Sequence, residues 1–339
     1  MNRRTFMAAT VAAGGMVMTG KAQARQRRVR FGDVVGSPRL HIRNLRNHGA
    51  PPVLYVHGAT FPSALSVGYR FADGGSWEGA LHRAGFDPWA FDFEGFGGSD
   101  RPPAFAAAAD ASPIPLRAVD AAQQIARAVR HVLAATGAAR LSIISHSWGT
   151  IPASRFACDH PELVDRLVLF GPILPRQPSG AAPGNNLPAS GAGIPAWRLL
   201  TVAEQRARFI NDTPPGHANV LAEPDLAQWG PAWLATDPDA ASRMPPAVKV
   251  PTGPQADILA SWGGGDLYDP RLLRCPTLLV RGEWDSLSTA ADAERLRTRI
   301  AGPFREAVIL ESGHLAHIET NRTLLWSAIN TFLREGLRR

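Results

Sequence analysis

Ser147 stands at the centre of Ser145-His146-Ser147-Trp148-Gly149, which follows the apolar run Leu141-Ser142-Ile143-Ile144 and opens a helical stretch at 148–158. A sharp strand–turn–helix corner lifts one side chain above a sheet edge and strains its backbone. The residues two places either side must be small, because strand and helix nearly touch there, and Ser145 and Gly149 are small. A hydroxyl held this way can attack a carbonyl carbon. The helix N-terminus favours the anion that develops, and the Trp148 amide points toward it. The plainer alternative is a serine that caps a helix. A nucleophilic serine needs a base to take its proton and an acid to orient the base. Candidates stand near the ends of two later apolar runs: His314 in Glu311-Ser312-Gly313-His314, and Asp285 in Gly282-Glu283-Trp284-Asp285. Sheet-end loops are where such residues belong in open α/β folds. His317, expected in the following helix, is a rival base; Glu283 is a rival acid, with Asp266 and Asp269 more distant. His314 and His317 also read as a metal pair, but the chain has no H-E-x-x-H and suggests no third ligand. No metal and no cofactor are therefore expected.

Those residues need a scaffold, and the alternation of short apolar runs with helical periodicity predicts one. Val29–Val35 and Leu40–Arg43 read as an entering hairpin. Strands are expected at 52–56, 86–91, 141–144, 167–170, 276–280 and 306–310, with helices at 77–84, 116–135, 148–158, 290–300 and 323–333. The rhythm breaks at 172–195, rich in Pro, Gly, Ala and Asn, and two helices are expected near 199–211 and 225–235. The predicted fold class is α/β, a mostly parallel twisted sheet flanked by helices with a mainly helical cap insertion. The predicted division is 1–24 as a signal peptide, 25–174 and 272–339 as core, and 175–271 as cap. No repeat of fixed period is present.

Taken in order, the motifs resemble the α/β-hydrolase superfamily. The residues that carry the resemblance are Tyr55-Val56-His57-Gly58-Ala59-Thr60, Asp92-Phe93-Glu94-Gly95-Phe96-Gly97-Gly98-Ser99, the Ser147 corner, Gly282-Glu283-Trp284-Asp285 and Ser312-Gly313-His314. They span essentially the whole chain apart from the insertion. The order Ser147, Asp285, His314 is the one this fold uses. The resemblance implies that Asp285 is the triad acid and His314 the base, and that the Ala59 amide joins the Trp148 amide in an oxyanion hole. Two departures stand out: Ser145 replaces the usual first glycine, and Glu94 stands where relatives often carry Arg or His. A structural loop role is expected for Glu94. Serine at 147 excludes the nucleophilic aspartate of dehalogenases and epoxide hydrolases. The implied activity is hydrolysis of carboxylic esters, with amides, thioesters, C–C bonds or peracid formation as alternatives on the same triad. A non-catalytic ligand-binding homologue is the alternative of another class.

The chain has 339 residues, 45% hydrophobic and 19% charged, enough apolar material for a large core. Its formal net charge is +7, and removing Arg3, Arg4 and Lys21 with residues 1–24 leaves +4. That balance, without a clustered basic face, predicts no nucleic-acid partner. Asn2-Arg3-Arg4-Thr5-Phe6-Met7, an uncharged stretch to Gly20 and Ala22-Gln23-Ala24 resemble a twin-arginine export signal, so a periplasmic or secreted protein is expected. Contact with a membrane is expected only if that signal is uncleaved. Cys158 and Cys275 make no disulfide framework and read better as two small buried hydrophobes than as a pair. Trp197, Trp229, Trp233 and Trp262 lie in the insertion; most are expected to pack its own core, and some to line a pocket for a small-molecule ester with an apolar acyl or aryl part.

Overall fold

The structure is a computed structural model and describes residues 26–32, 36–176 and 193–338. The expected export signal at 1–24, and 177–192 of the expected irregular stretch, lie outside the described residues. The central strands are β3 (Pro52–Val56), β5 (Leu141–His146) and β6 (Val164–Phe170). They are buried along nearly their whole length, as strands covered on both faces are. Around them an eight-stranded sheet runs in the order β1 (Gln26–Phe31), β2 (Leu40–Leu45), β4 (Asp87–Asp92), β3, β5, β6, β9 (Thr277–Gly282), β10 (Phe304–Ile309). The pairs β1–β2 and β2–β4 are antiparallel and all others parallel.

Helices α1 (Trp77–Arg83), α2 (Ala118–Thr136), α3 (Thr150–Asp159), α7 (Ala290–Arg297) and α8 (Arg322–Arg334) flank this sheet. In α2 the buried residues Ala118, Ala121, Ala122, Ile125, Val129 and Val132 form one face, and Gly137 ends the helix at φ +72°. Between β6 and β9 the chain adds β7 (Trp197–Thr201), α4 (Val202–Ile210), α5 (Glu223–Leu234), β8 (Ala247–Pro251) and α6 (Gly253–Trp262). Strands β7 and β8 form their own antiparallel pair, from Trp197 opposite Pro251 to Thr201 opposite Ala247.

This insertion corrects the expectation in two places. Residues 199–201, read as the start of a helix, belong to strand β7; Thr201 caps α4 instead, its side chain accepting from Glu204 N–H while Glu204 binds back to it. After α5 the insertion also contains β8 and α6, neither of which was expected. His317 is corrected too: it lies in a turn before α8 rather than within the helix, and it is fully buried. Cys158 and Cys275 are free thiols. No helix among the described residues is long and apolar enough to cross a membrane.

Candidate active site

β5 ends at His146, and Ser147 turns the chain with φ +54° before α3 begins. A side-chain-bearing residue in this left-handed region carries about 1–2 kcal/mol of strain. The crowding that imposes it is visible at Gly149, where an added Cβ would sit 2.3 Å from the His57 carbonyl oxygen. Ser145, in place of glycine, is fully buried and donates its hydroxyl to Val168 O at 2.9 Å, so the substitution is absorbed by β6.

The other two candidates meet Ser147. His314 Nε2 lies 2.8 Å from Ser147 Oγ, and His314 Nδ1 lies 3.0 Å from both Asp285 oxygens. All three side chains are buried. Asp285 Oδ1 also accepts the amides of Leu287 and Ser288 at 2.9 Å, which fixes the carboxylate. A carboxylate on Nδ1 selects the tautomer whose Nε2 is free to accept the serine proton. The rivals are engaged elsewhere. Glu283 accepts from Glu311 N–H, Asp266 pairs with Arg299, and Asp269 pairs with Arg271. Neither ring nitrogen of His317 has a hydrogen-bond partner.

Gly58 packs against Ser147: an added Cβ would lie 3.1 Å from Ser147 Cβ. His57 fixes this corner. Its Nε2 accepts Phe93 N–H at 3.0 Å, so the ring carries its proton on Nδ1 and donates to the Gly58 carbonyl at 2.8 Å. Burial lowers the His57 pKa, which keeps that neutral form. In a trans peptide, C=O and N–H point opposite ways. Holding the Gly58 carbonyl toward His57 therefore turns the Ala59 N–H away from it. The segment after Ala59 is tied down by Trp233 Nε1–H to Thr60 O (3.2 Å) and by Ser63, which donates from both N and Oγ to Asp92 Oδ1 (2.9 and 2.7 Å). Burial opposes the Asp92 charge, but His41, His57 and Ser63 outweigh it and hold the pKa well below the usual carboxylate range. The other expected donor residue, Trp148, is wholly buried, and its indole donates to Asp257 of α6 at 3.0 Å.

Four further residues bear on this geometry. Gly171 lies against the His314–Asp285 contact; an added Cβ would meet His314 Nδ1 at 3.0 Å and Asp285 Oδ2 at 3.1 Å. Asp212, just after α4, accepts His314 N–H at 2.9 Å and the Ser286 hydroxyl, joining the loops that hold base and acid. Asp257 reaches Trp148 from the insertion, as described. Glu319 accepts Gly313 N–H at 2.9 Å, and burial raises its carboxyl to about 8. The sequence carried a signal only for Glu319, through its place shortly after His314. The expectation for the tryptophans divides: Trp229 and Trp233 are buried, while Trp262 lines a cavity of about 130 Å³ beside Ala59.

A family model of the alpha/beta hydrolase fold matches residues 51–320. No curated protein matches the chain. Solved structures share the fold at low identity. A carboxylesterase of the thaumarchaeon Nitrososphaera gargenis is 15% identical over 92% of this chain and 99% of its own, with a TM-score of 0.61. A thioesterase domain from the curacin biosynthetic pathway is 17% identical over 91% and 99%, at 0.59. The 2-hydroxy-6-oxo-6-phenylhexa-2,4-dienoate hydrolase of Rhodococcus sp. strain RHA1 is 17% identical over 93% and 99%, at 0.58.

Proposed function

The chain belongs to the α/β-hydrolase family, and from that premise we propose that it is a serine hydrolase that cleaves carboxylic esters through an acyl-enzyme. The observation that carries this reading is the unbroken line Asp285–His314–Ser147, with contacts of 3.0 and 2.8 Å. His314 takes the Ser147 proton as Oγ attacks the ester carbonyl. The oxyanion that forms meets the Ala59 and Trp148 amides, each worth a few kcal/mol to the barrier. His314 passes its proton to the leaving alcohol. Water, deprotonated by the same imidazole, then releases the acid. Asp285 keeps the ring oriented and balances its transient charge. No step calls for a cofactor. The substrate is a small molecule, and Trp262, which lines the cavity beside Ala59, suits an apolar acyl or aryl part.

The test is a fluorophosphonate probe together with nitrophenyl esters of graded chain length. Wild-type protein should label at Ser147 and turn over at least one ester. Ser147→Ala should not label, and its turnover should fall by roughly four to six orders of magnitude. Esterase activity that survives in Ser147→Ala sinks the assignment.

A further inference from the structure

Between residues 193 and 271 the chain has five arginines. Three have carboxylate partners: Arg206 with Glu223, Arg243 with Asp237, and Arg271 with Asp269. The other two, Arg198 on β7 and Arg208 on α4, are half-buried and make no hydrogen bond or ion pair to any described residue. Both line the cavity of about 130 Å³ that also touches Ala59, Thr60, Trp262 and Leu287. Arg208 lines a second, adjoining cavity together with His314. Two guanidiniums thus flank the space next to the expected oxyanion position.

A guanidinium offers five donors in a planar fork, and desolvating it without acceptors is costly. Burial lowers both arginine pKa values, and for Arg208 the neighbouring Arg198 adds to the effect. The acids that face them are engaged. Asp212 holds His314 N–H and Ser286, Asp285 holds His314 and two amides, and Glu204 closes the α4 cap on Thr201. What is missing is an acceptor of matching geometry, and an oxyacid group supplies one by accepting two parallel N–H bonds from a guanidinium.

We propose that Arg198 and Arg208 bind an anionic group of the substrate, a carboxylate or a phosphate, so that the preferred ester has a charged end held beside the reacting carbonyl. This rests on the serine-hydrolase reading above and names the substrate class for it.

The test compares nitrophenyl hemiglutarate with nitrophenyl valerate, which differ chiefly in a terminal carboxylate. Wild-type kcat/KM should favour the hemiglutarate by about 10- to 100-fold, the yield of charge-assisted hydrogen bonds. Arg198→Gln and Arg208→Gln should each bring that ratio toward one. Arg206→Gln, on the outer face of α4 with its own acid, should leave it in place. In case the variants fold poorly, free glutarate and glycerol phosphate are tested as competitive inhibitors of valerate turnover by the wild type. The stronger inhibitor identifies the source of the anion. A wild-type ratio of one or less, a ratio that survives in folded variants, or inhibition by neither anion overturns the proposal. If neither ester turns over and the fluorophosphonate fails to label, the serine-hydrolase reading itself falls; labelling with a ratio of one removes only the anion site.

Discussion

In the proposed mechanism Ser147 needs a base to take its proton and a fixed dipole to receive the charge, and separate histidines would serve the two needs. His314 does the first. His57 does the second without touching the hydroxyl, by gripping the Gly58 carbonyl and so aiming the next amide. Replacing His57 with leucine keeps the bulk but frees that carbonyl. We predict a fall in kcat of roughly 10²-fold with KM little changed, and slower fluorophosphonate labelling. A variant that lost thermal stability yet kept the wild-type kcat per folded molecule would assign His57 to packing alone. The contrast also marks what single residues reveal. That Ser147, Asp285 and His314 would meet was legible because each follows an apolar run and their order suits one fold. The role proposed for His57 depends on Phe93 N–H, which arrives from another strand end and leaves no trace in the six residues around Gly58.

Among the elements, the turn from Glu311 to Asn321 carries more than its sequence suggests. Within it His314 is held from three sides: Asp212 on its amide, His146 on its carbonyl at 3.1 Å, and Glu319 on the preceding amide. Burial, helped by Asp212 and Asp285, raises Glu319 to about 8 from an ordinary value of 4.5. Between those values the unfolded chain is ionised while the folded chain keeps its proton. Stability from this group is therefore complete below about pH 4.5 and is lost as pH rises toward 8, by up to about 1.4 kcal/mol per unit. Glu319→Gln removes the proton and the slope. Its melting temperature should gain on the wild type steadily from pH 5 to 8, and parallel curves would contradict this. The sheet and its flanking helices were legible because buried parallel strands are continuous apolar runs. The insertion was less so: Trp197–Thr201 alternates poorly, and Pro251 and Pro254 bracket a β8–α6 junction that looks like a joint until Thr252 and Pro195 are seen to hold it in place.

For the molecule as a whole, burial keeps His57, His146 and His317 neutral, His317 with a pKa of about 3. Their folded pKa values lie below the unfolded value of about 6.5. Each therefore withholds a proton that the unfolded chain binds, and stability is lost as pH falls from about 6.5 toward 3. Three such groups outweigh Glu319 where their windows overlap, so stability should peak near pH 6.5 and drop more steeply on the acid side. Unfolding titrations across pH 4–8 check this; His317→Leu should flatten the acid limb by about one proton, and an unchanged limb would count against it. Finally, Trp233 and Asp257 of the insertion hold the carbonyl of Thr60 and the indole of Trp148. Peeling the insertion back would sever both bonds and slacken the two walls of the proposed oxyanion hole. On the proposed mechanism, a molecule whose insertion is unseated would therefore be poor at the chemistry as well as open to solvent.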